Sequence, residues 1–260
     1  FLLRERTGAI HRLEHETLKR RRVAALKEVQ ALTLSGKELL ALHGNNLVRL
    51  SPDTLMPGVA TPFESAYDLA VAGTQFAVSR ENKDEVRLYG PRDRTLDNIP
   101  RRSLIALTAS GNVLCWSTQG QKPARFAWID LTTDKRATAK GDAPLGGPFV
   151  LLPSGTQALL RNGTLVDLGT GSAESRYPPH RTATFASKHI WLLAADDTLQ
   201  RFEMATGKRT GRWTLALQGY HLLIDERTNT LIVAGVDGNA AIEDARAAIG
   251  AELHLYRLPE

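Results

Sequence analysis

An all-β fold assembled from repeated short strands is what this sequence predicts, and three observations carry the prediction. A phrase recurs at a nearly constant step, a glycine-centred turn recurs in a second register, and apolar residues fall in short runs with no sustained helical period. The phrase is Arg12-Leu13 followed by Thr17-Leu18, and it returns 37 residues on as Arg49-Leu50 with Thr54-Leu55. Its core, an apolar residue with Thr four positions later, comes back at Ile129/Thr133, Val166/Thr170 and Phe202/Thr206, with Asp134, Gly171 and Gly207 next in line. Leu88 fills the slot with Arg92 in place of Thr, and Leu255 fills it near the C-terminus. The copies thus stand at 13, 50, 88, 129, 166, 202 and 255.

The second register places the remaining elements. Ser35-Gly36 precedes Leu39-Leu40-Ala41-Leu42, Gly73 precedes Phe76-Ala77-Val78, Ser110-Gly111 precedes Val113-Leu114-Cys115-Trp116, and Ser154-Gly155 precedes Ala158-Leu159-Leu160. Ser187 and Thr228-Asn229 take the same place before Ile190-Trp191-Leu192 and Leu231-Ile232-Val233. Gly and Asn tolerate the positive φ that a tight hairpin needs. Each repeat therefore reads as apolar strand, hairpin, second apolar strand, variable loop, alternating third strand, Thr-Gly turn and a weak fourth strand. Four short strands about every 40 residues are the signature of a β-propeller blade. Seven copies predict a seven-bladed ring in one domain over residues 1–260.

The ends of the repeat raise two further expectations. Phe1-Leu2-Leu3 runs straight into Arg4-Glu5-Arg6, the first copy begins in mid-blade and the last stops after its third strand, so the chain is expected to belong to a longer protein. Residues 10–31 are rich in strong helix formers, and a helix there would leave a six-bladed ring; the repeat distance of the Arg-Leu and Thr-Leu phrase favours strands. A short helix is expected in the Ala-rich insertion at 239–249.

The run Glu203-Met204-Ala205-Thr206-Gly207-Lys208 through Trp213 resembles the strand, Thr-Gly-Lys turn and Trp of the WD-repeat-like, YVTN and quinoprotein-like propeller group. The resemblance concerns architecture: the Gly-His and Trp-Asp pairs of true WD repeats are absent, and Gly146-Gly147 is the single Gly pair where Kelch repeats would have several. It implies a rigid disc that presents loops to partners, and less often a catalytic pocket at a central channel.

Composition narrows the function classes. A chain of 260 residues with 42% hydrophobic and 23% charged residues excludes disorder and collagen-like structure. No apolar run approaches the roughly 20 residues of a membrane-spanning helix. The net charge of +5 lies mostly in residues 1–30, where eight basic side chains face four acidic ones, leaving +1 for the rest. The single basic run, Lys19-Arg20-Arg21-Arg22, reads as a solvated edge, and no nucleic-acid partner is expected. Cys115 is the one cysteine and reads as a packing residue, with no disulfide or thiolate metal cage to join. Balanced charge and a missing leader point to the cytoplasm.

Channel-facing strands are the place for chemistry, and Asp68, His221 and Asp225 are the candidates they offer. A metal-dependent hydrolase or lactonase would need three or four convergent ligands from different blades, and the inner strands at 31–34, 104–108 and 149–152 offer almost none. Neither a metal nor a cofactor is expected, and Asp68 and His221 read as hydrogen-bonded strand-end groups. The three long loops at 79–85, 117–124 and 236–251 carry Arg80, Lys83, Lys122, Glu243, Asp244 and Arg246, mixed in sign. Charged loops on a rigid scaffold suit recognition of a protein partner. The expectation is a non-catalytic interaction or scaffolding module. A channel hydrolase and a sensory domain joined to an upstream catalytic domain are the alternatives.

Overall fold

The computed structural model describes residues 2–4, 10–13, 20–23, 29–35, 38–43, 45–51, 54–91, 93–118, 125–141, 145–186, 188–215, 217–225, 230–237 and 252–257. Its regular elements are all β-strands, with no helix among the described residues. The insertion at 239–249, where a helix was expected, lies outside them. The chain divides into two compact units, Phe1–Leu151 with Leu168–Ser172, and Leu152–Asp167 with Ala173–Glu260.

The first unit is a succession of antiparallel sheets. Leu2–Arg4 (β1), Ile10–Leu13 (β2) and Arg20–Val23 (β3) form a three-stranded sheet. Val29–Ser35 (β4), Glu38–His43 (β5), Asn46–Leu50 (β6) and Pro57–Pro62 (β7) form a four-stranded one. Two more sheets of four strands follow, Ala66–Ala72 (β8), Gln75–Arg80 (β9), Glu85–Tyr89 (β10) and Arg94–Asp97 (β11), then Ser103–Leu107 (β12), Val113–Thr118 (β13), Phe126–Asp130 (β14) and Arg136–Thr138 (β15). Phe149–Leu151 (β16) is the last strand of this unit. In the second unit Gln157–Leu160 (β17), Thr164–Asp167 (β18) and Ala173–Ser175 (β19) pair in order. They precede the four-stranded sheet His180–Ala186 (β20), His189–Ala194 (β21), Thr198–Glu203 (β22) and Arg209–Thr214 (β23). Leu217–Asp225 (β24), Thr230–Asp237 (β25) and Glu252–Arg257 (β26) make the last sheet. Every sheet pairs its strands in chain order. The described residues of 10–31, where the alternative reading placed a helix, belong to β2, β3 and β4.

Leu50, Leu88, Ile129, Phe202 and Leu255 each occupy the third strand of a sheet. The Thr four positions after Leu50, Ile129, Val166 and Phe202 has a local job. Its hydroxyl accepts the amide two residues on, from Met56 to Thr54 at 3.3 Å, Lys135 to Thr133 at 3.5 Å, Ser172 to Thr170 at 3.2 Å and Lys208 to Thr206 at 3.1 Å. The next residue turns left-handed in all four, with φ of 54° at Leu55, 58° at Asp134, 77° at Gly171 and 70° at Gly207. A side-chain oxygen that fixes the turn, followed by a residue able to take positive φ, is why Thr-Gly recurs in the sequence. At Leu55 the same conformation is held by a side chain that is itself buried.

Within each unit neighbouring sheets share buried core clusters. In the first unit Phe76 and Val78 of β9 join Leu40, Leu42, Leu47, Phe63 and Leu69 in one core cluster. Ala77, between them on the strand, joins Val86, Leu88, Ile105, Leu107, Leu114 and Trp116 in the next. Alternate residues of a strand point to opposite faces, so a sheet sandwiched between two others is buried on both. This explains why all six residues of β9 are buried, its polar Gln75, Ser79 and Arg80 included. The first strands β4, β8 and β12 lie side by side in the first unit, as do β20 and β24 in the second. In the second unit Trp191, Leu193 and Leu199 pack with Trp213 and Leu222.

Candidate interaction surface

In five of the sheets, among the described residues, loops and sheet connections meet at one end. A backbone amide in the connection leaving the sheet donates to a carbonyl in or beside the turn between its second and third strands. The pairs are Phe63 to Asn45 at 2.6 Å, Arg102 to Arg80 at 2.8 Å, Gly147 to Thr118 at 3.2 Å, His180 to Arg161 at 2.9 Å and Leu215 to Asp197 at 3.1 Å. Both segments would otherwise leave backbone groups unpaired, and the bond holds each loop against its neighbour.

The end built around residues 81–84 is the most charged of these in the first unit. Arg102 pairs with Glu81 at 2.7 Å, the Arg101 amide donates to Asp84 Oδ1 at 2.9 Å, and the Glu81 amide donates to the Ser65 carbonyl at 2.7 Å. Lys83 stands exposed among them. Arg80, expected on this loop, belongs instead to the end of β9 and is 7% exposed. Its guanidinium lies near Glu64 at 3.5 Å and Glu85 at 3.8 Å, on two other segments. Nothing local to Arg80 signals this burial, because both carboxylates near it come from other segments.

In the second unit the corresponding ends are tied by Arg181, which pairs with Asp197 and donates to the Ala195 carbonyl at 2.7 Å, and by Arg212, 2.9 Å from Asp196. Asp196 accepts from the hydroxyl of Thr198 at 2.7 Å, and that bond, ahead of Arg212, holds its carboxyl below the usual range. Arg101, Arg102, Arg181 and Arg212 were not singled out in the sequence. Their signal was positional, since they flank the segments that link the fourth strand of a sheet to its surroundings.

Lys122, Glu243, Asp244 and Arg246 lie outside the described residues, as do the side chains of His221 and Asp225, whose backbone is part of β24. Asp68, the third channel candidate, is engaged in structure. Its Oδ2 accepts the Ile105 amide of β12 at 2.9 Å and its Oδ1 the Leu69 amide at 2.9 Å, while its own amide donates to Ser79 Oγ at 3.1 Å. Ser79 Oγ in turn donates to the Ser103 carbonyl at 2.8 Å. The carboxylate therefore laces the first strands of two neighbouring sheets. Cys115 is fully buried and its thiol is pushed up by burial, which leaves it inert as a nucleophile. Among the described residues no group of three or more His, Cys, Asp or Glu could hold a metal ion, and no helix is long and apolar enough to cross a membrane.

No protein-family model matches the chain, and no curated protein matches it in sequence.

Proposed function

We propose that the chain is a seven-bladed β-propeller of the WD-repeat-like group and acts as a non-catalytic protein-interaction or scaffolding module within a larger protein. The observation that carries this reading is the recurrent tie between the second-to-third-strand turn and the outgoing connection of the same sheet. Loops held in this way lose little freedom on binding, so less of the contact energy is spent on ordering them. At residues 81–84 and 100–102 the tied segments present Lys83 and Arg101 to solvent beside Glu81 and Asp84, a polar rim of mixed sign suited to a protein surface. Asp68 supports the same reading from the other side, because its two carboxylate oxygens already accept backbone amides.

The test is affinity capture with the wild-type chain and a Lys83→Glu, Arg101→Glu double variant, the retained proteins being identified by mass. A protein held by the wild type and lost by the variant is the expected result. Retention of nothing by either chain, or equal retention by both, overturns the assignment of this end as the binding face.

A further inference from the structure

Strand β7, Pro57–Pro62, is the last in the order of its sheet, and all six of its residues are exposed. Every other sheet among the described residues ends on a strand that carries charge, with Arg20 in β3, Arg94 in β11, Arg136 in β15, Glu174 in β19, Arg209 in β23 and Glu252 in β26. Charge on an edge strand protects it against pairing with a second edge. The run Pro-Gly-Val-Ala-Thr-Pro of β7 has none. It also lacks side chains able to make the sideways ties of the next two outer strands, where Arg94 pairs with Asp134 at 2.6 Å and Arg136 donates to the Asp97 carbonyl at 2.5 Å. Val59 is 74% exposed, and Met56, just before the strand, is 65% exposed; these are the exposed large apolar side chains among the described residues. Six ordered residues that bury no side chain gain little to offset the conformational entropy lost in fixing them. Pro57 and Pro62 have no amide hydrogen, so they bracket a pairing window of Gly58-Val59-Ala60-Thr61.

We infer that β7 is a self-association edge, which pairs antiparallel with β7 of a second copy of the chain about a two-fold axis and joins two four-stranded sheets into one. In that arrangement Val59 lies opposite Ala60 of the second copy, and Gly58 opposite Thr61. A second copy is the occupant because the window is self-complementary: across a two-fold axis every residue meets a neutral one, and no charge is carried into the new sheet. A charged partner segment would find no opposite charge on β7 to meet it. The contact is short, so the dimer is weak and forms only as the chain becomes concentrated. The inference goes beyond the proposed interaction role and does not depend on it.

The experiment is sedimentation velocity on the full chain, purified, at concentrations from about 1 to about 300 µM. The average mass is expected to rise from that of one chain toward that of two. Val59→Lys sets like charges close together across the axis and should weaken association by about tenfold or more. Lys135→Glu, in an exposed turn of another sheet, should leave it unchanged. Ala60→Lys provides the same comparison as Val59→Lys should the latter disturb folding, which circular dichroism would reveal. A wild-type chain that keeps the mass of one copy throughout, as it would if β7 received a strand of a different protein, overturns the inference. Equal association of the wild type and the edge variants overturns it as well. None of these results bears on the capture by the 81–84 end, which uses residues of a different sheet.

Discussion

His180 combines burial with a nearby cation, and that pairing has a pH signature. The residue is 5% exposed, and burial, assisted by the Arg161 guanidinium and opposed by the contact with the Pro178 carbonyl, lowers its pKa below the ordinary 6.5. In the unfolded chain the ring takes a proton near pH 6.5, while in the folded chain it resists doing so until lower pH. The unfolded state thus binds more protons in that window, so the stability due to neutral His180 is complete above about pH 6.5 and is lost as pH falls through the folded pKa. Denaturant unfolding at pH 7.5 and 5.5 should show a larger loss for the wild type than for His180→Gln, which cannot titrate there. Equal losses would mean that His180 is no more reluctant to charge in the fold than out of it.

Strand β23 shows how a single element depends on its neighbours. Trp213 stacks on Trp191 of β21 with ring centroids 5.4 Å apart and 23° between the planes, and the Arg201 guanidinium of β22 lies over both rings at 5.7 and 5.5 Å. The arrangement needs a glycine, because a Cβ on Gly211 would come within 2.1 Å of the Trp213 ring. Gly211→Ala should therefore lift Trp213 off its place and cost about 1–3 kcal/mol. Trp191→Ala should cost about 3–5 kcal/mol, since its ring is 2% exposed and leaves a cavity between sheets. A loss below about 1 kcal/mol for Trp191→Ala in denaturant melts would contradict this packing. Elements of this kind were legible in the sequence to an instructive degree. The third strands around Leu50, Leu88, Ile129 and Phe202 could be placed because period-two alternation and the Thr turn are both local. Trp213 could be read as part of a strand, but its folding back over Gly211 could not, because it depends on Trp191 two strands away in the sheet. The charged end was half legible for the same reason. Lys83 stands where a loop residue should, whereas Arg80 is drawn in by Glu64 and Glu85, and nothing local to Ser79-Arg80-Glu81 distinguishes the two cases.

At the scale of the whole chain, the physical question is how far a local loss of packing spreads. Within each unit the described core clusters join one sheet to the next, and stability in such arrays is close to a sum of terms for sheets and for their nearest-neighbour contacts. The two compact units have their own buried clusters, one centred on Leu114, Leu88 and Ile105, the other on Trp191, Leu193 and Leu199. Leu114 is fully buried in β13, at the junction of the β8–β11 and β12–β15 sheets, so Leu114→Ala should cost about 2–5 kcal/mol. The cost should be felt first by the amides that depend on that cluster. Native-state hydrogen exchange is expected to show faster opening across β8–β10 and β12–β14 in Leu114→Ala, with the amides of β21 and β22 keeping their wild-type rates. Trp191→Ala should give the converse. If each variant instead raised exchange equally through β9, β13, β21 and β22, the chain would open as one cooperative body and a nearest-neighbour account of its stability would fail.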